Sequence, residues 1–293
     1  MLVKFSSRLI IVGTLLLIAA SGDHLVQSSG AQVTKPAVAS GKRYPRLVIR
    51  NATVIDGNGT PASGPKDIAI EGNVISQVVP LDPAALKRGE QKRPAGELEI
   101  DAAGKYVMPG LINVHGHVQE ERGGIPQPLD YELKIWLACG ITTVRDVGSE
   151  TKKTLALRDK SNGGEVAAPR LFVYARFGYN PAPRNAEEAG FHPLKIIQHV
   201  TGNNAQILGQ QERLGRVRAG FLADLIVVNG NPLENLRVFY PTGVDEIRDG
   251  KTVHTGGVEW TIKDGIPYHA PTLAAEVREI VAKARAADSG SHR

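Results

Sequence analysis

The chain has 293 residues, of which 42% are hydrophobic and 22% charged, as in an ordinary globular protein. The 35 Lys and Arg residues barely exceed the 30 Asp and Glu residues, and no basic cluster suited to phosphates is present, so nucleic acid is not an expected partner. Cys139 is the only cysteine, which excludes an internal disulfide and a cysteine-based metal or redox site.

The first 31 residues follow the order of a secretory signal peptide. Lys4 and Arg8 precede an apolar run over Leu9–Ala20, and small and polar residues continue to Ala31. The apolar run is shorter than the roughly 20 residues that span a bilayer, so we expect cleavage rather than a stable membrane anchor, with an uncleaved anchor as the alternative. The sequence thus predicts a periplasmic or secreted protein. Residues 32–45 are polar and are expected to be a disordered lead-in.

Strand patterns flank a central region in which strands and helices alternate. Alternating apolar residues and glycine turns predict strands within 46–108 and again within 223–254. Between them, helical spacing and β-branched runs predict two further strands and three helices. These are a helix at 129–139, a strand at 141–148, a helix at 155–161, a strand at 169–174 and a helix at 193–209.

Two histidines, His115 and His117, end the stretch Val107–Val118. Residues i and i+2 of a strand point to the same side, so both imidazoles are expected to face one way at the strand end. Two converging neutral imidazoles form half of a metal site. Taken alone, this spacing is also compatible with surface histidines or with satisfied core histidines.

The neighbouring residues resemble a known family. P-G-L-I-N-V-H-G-H at 109–117 and G-I-T-T-V-R-D-V-G at 140–148 resemble the first two barrel strands of the amidohydrolase superfamily, with Asn113 in place of the usual acidic residue. Leu214–Val228 resembles the segment that leads from the family's barrel into its sandwich. The run at 258–268 resembles an exported imidazolonepropionase-like or dipeptidase-like branch.

This resemblance implies an α/β fold with a (β/α)8 TIM-type barrel and a small β-sandwich built from both chain ends. The implied division is a signal peptide at 1–31, the lead-in at 32–45, a composite sandwich from 46–108 and 216–256, a truncated barrel at 109–215, and an extension with a helix at 257–293. It also implies hydrolysis of a non-peptide or dipeptide C–N bond in a small amide-type substrate by a metal-activated water.

The resemblance further implies site residues and a cofactor. His115 and His117 would be ligands of a divalent metal, zinc before others, with one or two ions in full-length relatives. Two roles stay open for Arg145 and Asp146. They could contact the metal ligands or the substrate, or they could form a local salt bridge at the strand end. Asp224 is expected to be a structural turn or cap, because a continuous apolar run follows it.

The barrel predicted from the sequence is incomplete. Residues 109–215 number about 107, whereas a complete barrel needs roughly 250. The family's bridging lysine, two further histidines and general-base aspartate find no match, since Tyr174–Ala186 contains no Lys, His or Asp. We therefore expect impaired catalysis, and open strand edges that could pair in an oligomer.

Three origins of the missing strands stay open. The sequence could be an incomplete product of a longer gene, a degenerate relative that folds around the surviving parts, or one part of an assembly whose partner supplies the strands. The function hypothesis from a different class is a non-catalytic fold remnant or binding protein.

Overall fold

A computed structural model describes residues 38–122, 125–173 and 192–291. Its strands in chain order are β1 (Arg46–Val54), β2 (Ser63–Glu71), β3 (Val74–Pro80), β4 (Leu98–Asp101), β5 (Tyr106–Pro109), β6 (Leu111–Gly116), β7 (Glu121–Arg122), β8 (Ile125–Pro126), β9 (Ile141–Asp146), β10 (Arg170–Val173), β11 (Leu225–Val228), β12 (Val244–Arg248), β13 (Lys251–Thr255), β14 (Val258–Lys263) and β15 (Ile266–His269). Its helices are α1 (Pro83–Arg88), α2 (Leu129–Ala138), α3 (Thr151–Gly163), α4 (Pro193–Gln198), α5 (Asn204–Ile207) and α6 (Ala270–Ser291), with a π-helix at His199–Asn203 and a 3-10 helix at Leu236–Phe239. The predictions for residues 1–37, including the signal peptide, lie outside the described residues.

An eight-stranded mixed sheet combines strands from both flanks of the chain. Its order is β15-β14-β11-β5-β1-β2-β3, with β4 beside β1. The two flanks meet where β5 pairs antiparallel with β11, placing Val107 opposite Val227. All four residues of β11 are buried, as expected for a central strand covered on both faces.

Two segments near the C-terminus are placed differently from the division drawn on the sequence. Among the described residues, β12 and β13 pair only with each other, so this hairpin stands outside the large sheet. β14 and β15, which we assigned to an extension, pair onto β11 and become the edge of that sheet. The reason is burial, since β14 buries Val258, Thr261 and Ile262, whereas Ile247 of β12 is 81% exposed.

Residues 38–45 are ordered against the last strand of this sheet. The Gly41 N–H donates to the Pro267 carbonyl at 2.7 Å, and the His269 N–H donates to Ser40 Oγ at 3.0 Å. Tyr44 is buried in the core beneath β1. The prediction of a disordered lead-in is therefore wrong for these residues, because a buried aromatic ring and paired backbone groups hold them in place.

A second sheet of three parallel strands, in the order β10-β9-β6, occupies the centre of the chain. α2 connects β6 to β9 and α3 connects β9 to β10. A cluster around Val144 and Leu171 fills the space beneath the two helices, with Leu157 and Trp136 packed against it. The predicted alternation of strands and helices is present here.

The helix predicted at 193–209 is formed by α4, the π-helix and α5 together. It packs beside β6, where the Asn204 Nδ2 amide donates to the Ile112 carbonyl at 2.8 Å. Of the helices in the described ranges, none has the length and apolarity needed to cross a membrane.

Candidate active site

The two histidines predicted from the sequence lie together at the carboxyl end of β6. His115 belongs to the strand and is exposed, and its backbone N–H donates to Asn113 Oδ1 at 3.0 Å. His117 follows the strand and is half-buried. Their ring centroids are 5.4 Å apart with an interplanar angle of 70°, an edge-to-face arrangement. The i, i+2 spacing therefore brings the two imidazoles into contact.

A buried nitrogen on His117 has no partner among the described residues. Its Nδ1 atom is inaccessible and accepts or donates no hydrogen bond within 38–122, 125–173 and 192–291. A buried polar atom with no partner destabilises the folded state unless a ligand binds it. An imidazole nitrogen with a free lone pair is also the usual form of a histidine metal ligand. The atom thus fits one donor of a metal site.

The neighbouring strand β9 brings Asp146 and Arg145 to the same end of the sheet. Asp146 is fully buried and lies opposite Gly116 in the strand register. Its Oδ1 accepts from Ser149 Oγ at 2.6 Å and from the Ser149 N–H at 3.2 Å, while its buried Oδ2 has no partner in the part of the chain that the structure describes. The Arg145 Nε–H donates to the Val114 carbonyl at 2.6 Å. Arg145 thereby ties β9 to the strand that carries the histidines, and Asp146 fixes the loop after β9.

A complete metal shell is not assembled within the described ranges. No group of three or more His, Cys, Asp or Glu side chains converges among the residues at 38–122, 125–173 and 192–291. Zinc needs four ligands in a closed site and three protein ligands in a catalytic one. The two histidines therefore match half of such a shell.

Two further histidines, His192 and His199, have local partners. His192 is the N-cap of α4, and its Nδ1 accepts from the Leu194 N–H at 3.2 Å. His199 is exposed, and its Nδ1 lies 2.7 Å from Asn203 Nδ2.

Burial raises the pKa of the half-buried Cys139 thiol to about 11, so this thiol is protonated at neutral pH.

A cavity of about 390 Å³ adjoins the ends of β6 and β9. Its walls include Val118 and Gln119, directly after His117, and Gly148 and Ser149, directly after β9. Active sites of parallel α/β folds lie at the carboxyl ends of their strands. The cavity thus lies at the end of the sheet where such folds bind their ligands, next to His117 in the chain but not lined by either histidine.

Sequence reasoning missed the most deeply buried ionic cluster of the described residues, here named the salt-bridge cluster: Arg170, Asp224, Lys263 and Asp264. Arg170 pairs with both Asp224 and Asp264, and the Asp264 N–H donates to Asp224 Oδ1 at 2.9 Å. The Lys263 ammonium lies 3.1 Å from Asp264 Oδ2 and donates to the Ser161 carbonyl at 2.7 Å. Asp224 is thus a structural residue, as predicted, but through an ion pair.

The charges within this cluster favour the ionised form of Asp264 but only partly favour that of Lys263. Burial alone would raise the pKa of Asp264, yet the cations of Arg170 and Lys263 outweigh it and hold that pKa below its ordinary value. Burial lowers the pKa of Lys263, and the nearby Arg170 cation acts in the same direction against the attraction of Asp264. The cluster joins β10 and α3 to β11 and β14, and so connects the two sheets.

The chain is similar in sequence to a known protein family and to curated hydrolases. A family described as "Amidohydrolase family" matches residues 163–265, which lie after the two histidines. A D-hydantoinase from Rhizobium radiobacter is 30% identical over 70% of this chain and 44% of its own length. A dihydroorotase from Bacillus licheniformis is 32% identical over 33% of this chain and 20% of its own length. The chain therefore spans less than half the length of these curated relatives.

The fold resembles that of a solved structure. The crystal structure of a Xaa-Pro dipeptidase with bound methionine aligns with a TM-score of 0.59 and 16% sequence identity, covering 76% of this chain and 100% of the dipeptidase. At this identity the likeness concerns the fold alone.

Proposed function

Because the chain belongs to the amidohydrolase superfamily, we propose that it derives from a metal-dependent hydrolase of C–N bonds and that His115 and His117 are its retained metal ligands. The observation that carries the proposal is the buried Nδ1 of His117, which lies beside the ring of His115 and has no partner among the residues that the structure describes. The D-hydantoinase and dihydroorotase relatives support a small amide-type substrate, non-peptide or dipeptide in kind.

Zinc is the metal that we propose, because it favours imidazole ligands and tolerates open coordination positions. A bound divalent metal would supply the activation of water for attack on an amide carbon. The residues of this chain would position the donors. Asn113 holds the backbone of His115, and Arg145 holds the carbonyl of Val114 on the same strand.

We further propose that the barrel is incomplete and the enzyme impaired. The parallel strands β6, β9 and β10 would be the first three strands of a (β/α)8 barrel, and the eight-stranded sheet would correspond to the family's composite sandwich. With roughly 250 residues needed for a whole barrel, the central region is too short for eight units. Its open strand edges could then pair between copies.

A non-catalytic remnant or binding protein is the second candidate function. The observation that favours it is the absence of any cluster of three metal-ligating side chains in the part of the chain that the structure describes. A general base is also unidentified, and water activation requires one to accept the proton.

Metal analysis of the purified full chain tests the first proposal. We expect zinc in stoichiometric amount in the unaltered protein and its loss in the His115→Ala/His117→Ala double variant. The matched control is His192→Ala/His199→Ala, which removes two exposed histidines with local partners and should keep the metal. Metal absent from the unaltered protein, or retained in the first double variant, would refute the assignment.

Activity assays on the same samples separate the two candidate functions. Hydrolysis of a cyclic amide or a dipeptide that disappears in the double variant supports an impaired enzyme. Bound metal without any hydrolysis supports the non-catalytic candidate.

The proposal includes export to the periplasm or the exterior, based on the sequence order of residues 1–31. Mass spectrometry of the N-terminus from a periplasmic or culture fraction is the test. We expect a chain that begins after the apolar run, and a chain that begins at Met1 would contradict export with cleavage.

A further inference from the structure

A second cavity, of about 740 Å³, lies beside β10 and is separate from the candidate active site. It is bounded by α3, β10, the segment after α5 and the segment before β1. None of its lining residues borders the smaller cavity beside the histidines. The two cavities are therefore distinct sites on the protein.

Four arginines from four separate segments line this cavity: Arg43, Arg158, Arg170 and Arg213. The only carboxylates in its lining are those of Asp159 and Asp264. Its walls thus carry an excess of positive charge, and a concave surface with one sign of charge concentrates ions of the opposite sign.

The arginines differ in how far their charges are already neutralised. Arg170 is buried and engaged by Asp224 and Asp264, so it belongs to the wall. Arg158 pairs with its neighbour Asp159 at 2.8 Å, an exposed contact of small energetic value. The side chains of Arg43 and Arg213 form no ion pair or hydrogen bond with another residue in the described ranges. Two guanidinium groups thus border the cavity with their donors unused.

Neutral donors complete the lining. The side-chain amides of Asn73, Asn162 and Gln210 border the same space. A guanidinium presents its N–H groups in a planar fork that matches a carboxylate or a phosphate, and amides add neutral hydrogen bonds to the same oxygens. The combination suits a small ligand with several anionic oxygens.

We propose that this cavity binds a small polyvalent oxyanion, either a phosphate ester or a polycarboxylate, with Arg43 and Arg213 as its principal cationic contacts. The ligand neutralises charges that the described residues leave unpaired. The site is independent of the histidine pair, so the metal proposal can fail without affecting it.

Isothermal titration of the full chain with pyrophosphate and with citrate, at constant ionic strength, tests the proposal. We expect saturable binding of at least one of them, and the stronger ligand distinguishes phosphate from carboxylate chemistry. Arg43→Gln and Arg213→Gln should each weaken binding by about tenfold or more, as the loss of a charge-assisted hydrogen bond does. Both side chains are exposed, so the fold should be kept, which circular dichroism checks.

The matched control is Arg237→Gln, which removes an exposed arginine on the 3-10 helix, outside the cavity. Its affinity should equal that of the unaltered chain. Either the absence of saturable binding, or equal weakening in all three variants, would overturn the proposal.

Discussion

The salt-bridge cluster and the strand ends that carry the histidines both contain buried polar atoms, yet they differ in how these atoms are partnered. In the cluster, Arg170, Asp224, Lys263 and Asp264 all have charged partners. Of the four buried side-chain atoms without a partner among the described residues, three lie on β9 or directly after β6: Thr142 Oγ1, Asp146 Oδ2 and His117 Nδ1. Two of these three atoms, Asp146 Oδ2 and His117 Nδ1, lie at the carboxyl end of the parallel sheet, whereas Thr142 Oγ1 lies near the amino end of β9. The comparison separates groups that hold the fold together from groups that are available to bind.

The largest expected effect on stability comes from removing one charge of the salt-bridge cluster. Asp224→Ala removes one of the two carboxylates that neutralise the buried Arg170. Loss of one partner of a buried ion pair leaves an uncompensated charge and costs about 3–5 kcal/mol. Urea unfolding followed by circular dichroism measures the loss in the free energy of unfolding.

The control for Asp224→Ala uses an exposed ion pair. Glu90→Gln removes the partner of Arg88 at the end of α1, where solvent surrounds both side chains. The urea midpoint should stay unchanged. Equal midpoints for the two variants would show that the salt-bridge cluster does not stabilise the fold.

A smaller effect compares the large sheet with the isolated hairpin. Both contain an Asp-Gly turn, and Gly265 and Gly250 have nearly equal φ values of 73° and 74°. A Cβ on Gly265 would lie 1.9 Å from the Gly72 carbonyl oxygen, whereas one on Gly250 would meet nothing within 4 Å. Gly250→Ala should cost about 1–2 kcal/mol for its left-handed backbone. Gly265→Ala should cost about 3–4 kcal/mol, because overpacking adds to that penalty.

Urea unfolding of the two glycine variants measures this difference. A cost for Gly265→Ala no greater than that for Gly250→Ala would contradict the close packing of the turn in the large sheet against the β2–β3 connection.

The smallest expected effect concerns an exposed pair on the hairpin. The hydrogen bond from His254 Nδ1 to Asp245, 2.7 Å long, raises the pKa of His254 above its ordinary value, and the charge of Asp245 acts in the same direction. A raised pKa in the folded state means that the pair stabilises the fold at low pH. This contribution is complete below the pKa of the unfolded state and is lost as the pH rises through the folded one.

Titration of His254 by NMR sharpens this point. Asp245→Asn should lower the pKa of His254 toward its ordinary value. Asp249→Asn, a change in the turn of the same hairpin, should leave that pKa as it is. A pKa that stays raised after Asp245→Asn would exclude the carboxylate as its cause.

Local elements could be predicted from the sequence because their causes are local. The spacing of Leu133 and Leu137, followed by Gly140, gave a helix at 129–139, and α2 spans Leu129–Ala138 with Gly140 at a φ of 78°. β-Branched residues predict a strand at 141–148, and β9 spans Ile141–Asp146. Placement of the elements was harder, since β12 and β14 have similar patterns but only β14 buries its residues in the large sheet.

The candidate site could be predicted only in part, for the same reason. The histidine pair follows from a spacing of two residues in one strand. The salt-bridge cluster does not, because Arg170 and Asp264 are 94 positions apart in the chain. The arginine-lined cavity also depends on segments that no local pattern connects, since Arg43, Arg158 and Arg213 come from three distant parts of the sequence.

The pairing of β5 with β11 has a consequence for how the protein is made. Val107 pairs with Val227, 120 positions later, so β5 is synthesised long before its partner β11. Until then the edge of β5 is uncovered on the ribosome, and exposed strand edges attract other chains. Pairings this distant also slow folding. The edge of β5 is therefore available for incorrect pairing until Leu225–Val228 has been made.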